Sequence, residues 1–332
     1  MRPFCRATFS FCEVLKMSAY KNYAQWVRHW LERKEQLVKK STYSAYVNIT
    51  VNHLIPQFGH WPLRRFNEER IQEYALLLLR HGRLDGNGGL SERSARDIIV
   101  VLKNSLREAM KLKLLPTTEI SIRFPNRQER YKIHVLSKIV QQRLIQAIYL
   151  NLSNKSAGIL LALYTGLRIG EICGLKWGDI DFDNKLVHVR RTLQRVYRKN
   201  LDGSGQSQII ISAPKTHSSL RSVPLSSLLI PVLRKLSSDN VDNFFLSGTI
   251  KSVEVRTFRT FFENFLRKNN IDKVNFHALR HTFATRCIEA GGDCKTVSEL
   301  LGHATVNMTL NLYVHPQIEQ KRKCVELLND FF

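Results

Sequence analysis

The segment Thr165-Gly-Leu-Arg-Ile-Gly-Glu171 decides the fold prediction for this sequence. It places Arg168 three residues before Glu171, so that the two side chains can pair across one turn of a helix. Taken alone, the segment is explained by the start of a helix that carries an ordinary salt bridge. A functional interpretation therefore depends on the rest of the chain.

Four segments further along the chain carry residue types that phosphodiester chemistry requires. They are Pro214-Lys-Thr-His-Ser-Ser-Leu-Arg221, His277-Ala-Leu-Arg-His281, Leu301-Gly-His303 and Leu310-Asn-Leu-Tyr-Val-His-Pro316. Guanidinium groups are always charged and offer a rigid fork of donors, so two of them could hold both non-bridging oxygens of a phosphate. A tyrosine nucleophile, with an ordinary pKa of about 10, needs neighbours that stabilise its phenolate. A lysine or histidine could protonate the leaving oxygen, so the set supplies each role without a metal.

Single residues of this set also have ordinary explanations. Lys215 lies in a basic turn, and such turns are usually solvated. Tyr313 lies among leucines, where a tyrosine is normally part of a hydrophobic core. His281 has no assignable role and fits a core hydrogen bond, whereas His217 and His315 fit positions at the surface or next to a phosphate. The joint pattern favours a catalytic function over these alternatives, because the chain contains arginine, lysine, His–Arg, histidine and tyrosine in this order.

This order and spacing resemble the tyrosine recombinase (phage integrase) family of site-specific DNA recombinases, over about residues 20–332. The resemblance implies an enzyme that cuts and rejoins duplex DNA through a 3′-phosphotyrosine, without a cofactor or a metal, and so integrates or excises a phage or mobile element. It implies that Arg168 and Arg280 hold the scissile phosphate and that Tyr313 is the nucleophile. Lys215 would protonate the leaving 5′-oxygen.

The same resemblance implies roles for two histidines and one acid. His277 would assist deprotonation of the tyrosine and bind phosphate, and His303 would hydrogen-bond the phosphate. Glu171 matches an acidic residue that braces the site instead of carrying a proton.

Apolar periodicity predicts a mostly helical chain. Tyr23, Trp26 and Trp30 begin one buried helix face, and further helices are expected over 41–54 with Ser41 as N-cap, 68–81, and from the Ser91 cap to 115. Ile55-Pro56 is expected to break the chain. Beyond the predicted linker we expect helices over 137–152 and 157–163, strands within 185–225, and helices again to the end.

With the resemblance, these patterns predict an N-terminal four-helix core-binding domain and a C-terminal α+β catalytic domain with a small antiparallel sheet. The expected bounds are 1–17 for an unstructured extension, 18–115 for the core-type DNA-binding domain, 116–134 for a basic linker, and 135–332 for the catalytic domain with its C-terminal helix.

Composition favours a nucleic-acid partner. Lys plus Arg total 51 against 28 acidic residues, a formal net charge of +23, and both parts of the chain share the excess. A hydrophobic content of 43% excludes a disordered basic tail. The sequence contains no apolar run of membrane-spanning length, no zinc-ligand spacing and no phosphate-binding P-loop. Six scattered cysteines predict a reducing compartment, so a cytoplasmic, nucleoid-associated protein is expected; a basic metabolic enzyme is the alternative on composition alone.

The expected partners are duplex DNA with inverted core-type sites and further copies of the chain. The resemblance implies a homotetramer on synapsed sites, formed by docking of the C-terminal helix in a neighbouring subunit, although that helix could instead cap its own domain. It leaves room for a directionality factor or a host DNA-bending protein. A non-catalytic DNA-binding protein and a type IB topoisomerase are the competing functions. Candidate DNA contacts are Lys39, Lys40, Ser41, Tyr43, Arg93, Arg96, Arg123 and Arg127.

Overall fold

The computed structural model describes residues 20–125, 134–200, 204–212 and 220–313, together with 322, 325 and 326, and only the backbone at 311–313. The predicted extension at 1–17, part of the predicted linker and most of the predicted C-terminal helix lie outside these residues. Contacts divide the chain into two compact units. Unit 1 is Met1–Glu129 with Val196–Gln208, and unit 2 is Arg130–Arg195 with Ile209–Phe332.

Unit 1 is a helical bundle. Its described helices are α1 (Tyr23–Leu37), α2 (Lys40–Ile49), α3 (Ile55–Phe58), α4 (Glu68–His81) and α5 (Glu92–Lys111). Side-chain oxygens of Asn22, Asn67 and Ser91 accept backbone N–H groups at the starts of α1, α4 and α5. Helix α4 has the predicted bounds and Ser91 caps α5 as predicted, but α5 ends at Lys111 and not near 115.

The second predicted helix differs in its start and its end. Ser41 is not its N-cap, because α2 begins at Lys40 with Lys39 in the cap position. The chain also does not break at Ile55-Pro56. A π-helical turn over Thr50–Leu54, in which the Ile55 N–H bonds the Thr50 carbonyl, leads directly into α3. Pro56 follows in the first turn of α3. It has no N–H to continue the helical ladder, and the break in regular i to i−4 bonding occurs in the π-helical turn just before it.

The aromatic stripe of α1 forms the core of unit 1. Tyr23, Trp26 and Trp30 are fully buried, as their spacing predicts. Their polar ends find partners on α5: the Tyr23 hydroxyl lies 3.0 Å from Ser105 Oγ, and the Trp26 indole donates to the Ser105 carbonyl at 3.2 Å. Buried aromatic residues can thus pack without leaving a polar atom unpaired.

Unit 2 is built around a buried helix. Its described helices are α6 (Lys138–Leu150), α7 (Asn154–Thr165), α8 (Ile169–Gly174), α9 (Leu229–Leu236), α10 (Val255–Lys268), α11 (His277–Glu289), α12 (Cys294–Leu301) and α13 (Val306–Tyr313). Helix α7 is buried over most of its circumference and packs against α6, α9, α10 and α11. Such a helix belongs in the centre of a core, and its C-terminal end delivers the Thr165–Glu171 segment to the site described below.

The strands form two small sheets where one was predicted. β1 (Ile180–Asp181), β2 (Leu186–Val189) and β5 (Arg221–Pro224) make a three-stranded sheet in the order β1-β2-β5, with Val187 opposite both Ile180 and Val223 in antiparallel register. β3 (Thr192–Lys199) and β4 (Gly205–Ser212) pair separately. The alternation of residues predicted the strands, but partner choice is a long-range property.

The outer part of the β3–β4 pair belongs to unit 1. The Tyr197 carbonyl accepts hydrogen bonds from the Ser44 hydroxyl and, at 2.7 Å, from the Asn48 amide. The Lys199 N–H returns a bond to Asn48 Oδ1 at 2.7 Å. Helix α2 therefore uses side chains to bind a strand backbone. No helix in the described ranges is long and apolar enough to cross a membrane.

Candidate active site

The Thr165–Glu171 segment is the junction between two helices. Gly166 ends α7 with φ at +65°, a left-handed conformation that favours glycine. A Cβ at this position would lie 2.6 Å from Phe283 Cδ1, so the packing also excludes a side chain. Arg168 then starts α8, and its backbone N–H donates to Glu171 Oε2 at 2.9 Å. The local sequence thus places Arg168 at a helix start beside its own acid.

Glu171 is a buried carboxylate between two arginines. Its side chain is 3% exposed, Arg168 Nη1 lies 2.9 Å from Oε1, and Arg221 Nη2 lies 3.0 Å from Oε2. Burial raises the pKa of Glu171, but the charges and hydrogen bonds of Arg221 and Arg168 outweigh it and hold the pKa below its ordinary value. The salt bridge between Arg168 and Glu171 that the sequence predicted is therefore present, and the guanidinium of Arg221 binds the same carboxylate.

Helix α12 ends in a Schellman turn that fixes the position of His303. Gly302 adopts φ of +65° and bonds back into the helix, and the His303 N–H donates to the Ser298 carbonyl at 3.0 Å. The local structure therefore explains the Leu-Gly-His sequence: the glycine ends the helix in a left-handed conformation, and the histidine after it is held in a defined direction.

Three arginines donate to three successive carbonyls at this helix end. The pairs are Arg221 Nε with Leu300 at 2.6 Å, Arg280 Nη2 with Leu301 at 2.8 Å, and Arg168 Nη2 with Gly302 at 3.2 Å. Terminal carbonyls lack helical partners and carry partial negative charge, so cations are favoured there. Arg280 is 2% exposed and also bonds the Gly166 carbonyl, whereas the Arg168 side chain is 37% exposed. Arg168 is therefore the more accessible of the two predicted phosphate ligands.

Two histidines from separate helices share this positive environment. The pKa of His303 falls to about 4 through burial and through the charges of Arg280, Arg168 and Arg221, and its Nδ1 lies 2.9 Å from Thr309 Oγ1. Desolvation, followed by the charges of Arg280 and Arg168, also lowers the pKa of His277. Both rings are consequently neutral at neutral pH, so the positive charge that an entering anion meets here comes from the guanidiniums and not from the imidazoles.

His281 contacts the site through the His277 ring. Its ring lies perpendicular to the His277 ring, with centroids 4.5 Å apart, and it is 6% exposed. Burial, then His277 and Arg280, lower its pKa to about 4. A neutral imidazole that packs on the His277 ring fits a structural role better than a role in proton transfer.

The structure brings together five of the seven predicted site residues: Arg168, Glu171, His277, Arg280 and His303. Tyr313 is the last residue of α13, which packs on α11 and α12, so its backbone belongs to the same assembly. The Tyr313 side chain and the whole of Lys215 lie outside the described residues. Among the residues that are described, no cluster of His, Cys, Asp and Glu could hold a metal ion.

Sequence reasoning missed Arg221 and Thr309. Arg221 closed one of the quoted segments but received no role, although it is the first residue of β5 and the strand pattern could have turned it inward beside the buried Val223. Thr309 is fully buried and touches His303 six residues earlier in the chain, on the next helix. No local pattern signals that contact.

The candidate DNA contacts in unit 1 lie on its surface. Lys39, Lys40 and Arg93 are exposed. Arg96 pairs with Glu92 at 2.6 Å and covers the Phe124 ring, and Arg198 lies over the Tyr43 ring. Ser41 is half-buried, the Arg123 side chain is exposed while its backbone pairs with Gln72, and Arg127 lies outside the described residues.

A second basic surface in unit 1 was not foreseen. A cleft of about 570 Å³ lies between α1, α2 and α5, and Glu108 in its lining pairs with Lys34 at 2.8 Å and Arg33 at 3.4 Å. Arg107 and Lys111 complete the rim. Four cations around one acid give this surface the charge that a phosphate backbone requires.

Comparisons with known families match both units. Residues 134–320 match the Phage integrase family, and residues 22–76 match the family "Phage integrase, N-terminal SAM-like domain". A tyrosine recombinase XerC-like protein of Caldanaerobacter subterraneus is 39% identical over 189 residues, covering 52% of this chain and 48% of that protein. The ICEBs1 integrase of Bacillus subtilis is 25% identical over 315 residues, covering 88% of this chain and 78% of that protein. The chain spans about half the length of the first curated relatives it matches.

Solved structures show the same fold. The Tn1549 transposon integrase bound to a circular intermediate DNA superposes with a TM-score of 0.70 at 23% identity, over 93% of this chain and 99% of that one. The lambda integrase tetramer bound to a Holliday junction gives a TM-score of 0.60 at 18% identity, over 92% of this chain and 81% of that one.

Proposed function

The chain belongs to the phage integrase family, and we propose that it is a site-specific recombinase that cuts and rejoins duplex DNA of a phage or mobile element. The observation that carries this proposal is the cluster of Arg168, Arg280, His277 and His303 at the end of α12. Three guanidiniums bind successive backbone carbonyls there, and those of Arg168 and Arg221 share the buried Glu171 carboxylate. An excess of fixed positive charge with neutral imidazoles is suited to a phosphate that gains negative charge as it is attacked.

In the proposed reaction the Tyr313 oxygen attacks the scissile phosphorus. His277 accepts the phenol proton, which its lowered pKa permits because the ring is neutral beforehand. The bond from phosphorus to the 5′-oxygen breaks, and Lys215 donates a proton to that oxygen. A 3′-phosphotyrosine forms, and a 5′-hydroxyl of the partner strand then reverses the step. The phosphodiester energy is kept in the tyrosyl ester, so no cofactor is required.

The arginines and His303 act on the phosphate in this scheme. Arg168 has the exposure to bind a non-bridging oxygen directly, while Arg280 adds charge from a buried position. The contact with Thr309 holds the His303 ring in orientation. Glu171 stays ionised and braces Arg168, because its pKa lies below the ordinary range.

We further propose that residues 18–115 bind core-type inverted sites and that residues 135–332 perform the chemistry, with a linker over 116–134. The rim of the basic cleft in unit 1 and the exposed Lys39, Lys40 and Arg93 support this division, because most such contacts would bind phosphate. A DNA substrate also implies that the protein works at the nucleoid.

The chemistry is tested with a nicked suicide duplex built from inverted repeats beside the gene, followed by denaturing electrophoresis. We expect a covalent protein–DNA band that Tyr313→Phe abolishes. Arg168→Ala should retain DNA binding but cleave about 100- to 1000-fold more slowly, because it loses a contact to the developing charge. A band that survives in Tyr313→Phe would place the nucleophile elsewhere, and the absence of any band with the natural protein would favour a non-catalytic DNA-binding protein.

Recombination and relaxation separate this proposal from a topoisomerase. We expect exchange between two sites on one plasmid, whereas relaxation of supercoils without exchange would support the type IB alternative. Purified protein with and without a cell extract tests the need for a directionality factor or a DNA-bending protein.

For assembly, we propose a monomer when free and a homotetramer on paired sites, held by docking of residues 317–332 in a neighbouring subunit. In support, Val325 in that segment is 63% exposed. Light scattering checks the free state, and a stable tetramer without DNA would contradict the proposal. Val325→Asp should weaken assembly on paired sites while leaving binding to a single site unchanged.

A further inference from the structure

We propose that Arg221 is a positioning residue of the strand-transfer site, and that it fixes the Arg168 guanidinium and the His303 segment through Glu171 and the end of α12. This inference rests on the proposed function and names a residue that the family resemblance did not assign. Arg221 does not need to touch DNA for this role. Its side chain is only 7% exposed, compared with 37% for Arg168.

The Glu171 carboxylate is bound by arginines from two elements. Arg221 Nη1 and Nη2 lie 3.2 and 3.0 Å from the two carboxylate oxygens, so the guanidinium binds both. Arg168 bonds the same carboxylate from the other element, through its backbone N–H and through Nη1, each at 2.9 Å. Without Arg221, the carboxylate could rotate about its last bond, and the direction of the Arg168 fork would no longer be set from both sides.

Arg221 also contacts the C-terminal end of α12. Arg221 Nε donates to the Leu300 carbonyl at 2.6 Å, two residues before the Gly302 carbonyl that Arg168 binds at 3.2 Å. One guanidinium thus joins β5, α8 and the C-terminal end of α12. Because His303 leaves that end through the Schellman turn, a change at Leu300 is transmitted to the imidazole over three residues.

The charge of Arg221 acts on two titratable groups of the site, Glu171 and His303. Glu171 is buried, and burial alone would favour its neutral form; Arg221 contributes the largest opposing effect on its pKa. A neutral Glu171 would offer one oxygen fewer to the arginines. Arg221 also lowers the pKa of His303, after burial, Arg280 and Arg168. The charged and titratable groups that line this region are Arg168, Arg280, His277 and His303 on the phosphate side, and Asp179, His188, Arg190 and Arg191 around the small cavity next to Glu171.

The test compares Arg221→Gln and Arg221→Lys with the unsubstituted chain on the nicked suicide duplex. We expect single-turnover formation of the covalent complex to slow about 10- to 100-fold in Arg221→Gln, as for other groups that orient a ligand through hydrogen bonds. Arg221→Lys should restore only part of the rate, because an ammonium cannot bind both carboxylate oxygens in a fork. DNA affinity should remain unchanged in both.

The pH profile distinguishes positioning from general support of the fold. In Arg221→Gln the pKa of Glu171 should rise, so cleavage should be lost at a higher pH than in the natural protein as the solution is acidified. In the double variant Arg221→Gln/Glu171→Gln this added loss should disappear, since the titrating carboxyl is gone. If the loss persists in the double variant, His303 is its source and the proposed route through Glu171 is wrong.

Arg286→Gln is the matched control. Arg286 also joins a carboxylate and a backbone carbonyl, with Glu289 at 2.6 Å and Leu136 at 2.7 Å, but near the opposite end of α11 from His277. We expect its cleavage rate to stay near that of the natural protein. Equal slowing by Arg286→Gln, unchanged cleavage in Arg221→Gln, or unfolding of both Arg221 variants at the assay temperature would each overturn the proposal. A covalent band from the natural protein shows separately that the proposed function holds.

Discussion

Replacing Glu171 by glutamine tests whether the buried carboxylate stabilises the site. The side chain is 3% exposed, and it neutralises Arg221, which is 7% exposed, and Arg168, which is 37% exposed. Removing one partner of a buried ion pair typically destabilises a protein by about 3–5 kcal/mol, because the remaining charge is left uncompensated. Arg168 retains access to water and glutamine still accepts one hydrogen bond, so we expect the lower end, about 3 kcal/mol.

That loss corresponds to a fall in melting temperature of roughly 6–12 °C for a domain of this size. It should also depend on pH in a defined direction. The pKa of Glu171 is held below its ordinary value of 4.5 in the folded protein. Its stabilising effect is therefore fully present above 4.5 and is lost as the pH falls through the lower, folded pKa. The difference in melting temperature between the natural protein and Glu171→Gln should consequently disappear under acid conditions.

Circular dichroism during thermal unfolding measures this difference in melting temperature at several pH values. Glu289→Gln is the control, because Glu289 also pairs with an arginine, at 2.6 Å, but is 37% exposed. Exposed pairs contribute at most about 1 kcal/mol. A stabilising role for the Glu171 carboxylate is refuted if Glu171→Gln melts at the same temperature as the natural protein at neutral pH, if the difference in melting temperature stays constant in acid, or if Glu289→Gln is equally destabilising.

Two further predictions concern the same region. Gly166→Ala should destabilise by about 2–5 kcal/mol in urea unfolding, because φ is +65° and the new Cβ would lie 2.6 Å from Phe283 and 2.8 Å from Leu301. Gly291→Ala, with φ of +92° and nothing within 4 Å, should lose only about 1–2 kcal/mol, and an equal loss in both would contradict the packing argument. The pKa of His303, about 4 in the free protein, should rise when a DNA duplex binds, because phosphate charge offsets the guanidiniums. An NMR titration of the ring with and without DNA measures it, and an unchanged pKa would argue against a phosphate at this site.

Elements governed by near neighbours could be predicted from the sequence. Helix α4 has its predicted bounds, and Ser91 and Ser137 cap the helices that follow them, because capping and apolar spacing act over three or four residues. The family could also be predicted, because the order of Arg168, His277–Arg280 and His303 along the chain is visible in the sequence without any structure.

Contacts between distant segments were decided only by the tertiary structure. Arg221 meets Glu171 across 50 residues of sequence and Leu300 across 79, and no local pattern encodes such a distance. The division of the strands into two sheets and the binding of Tyr197 by α2 have the same origin. An arginine side chain has several donors and binds the carbonyl and carboxylate groups that neighbouring elements place beside it. Its partners are therefore determined by the packing of the elements against one another and not by the local sequence that forms each element.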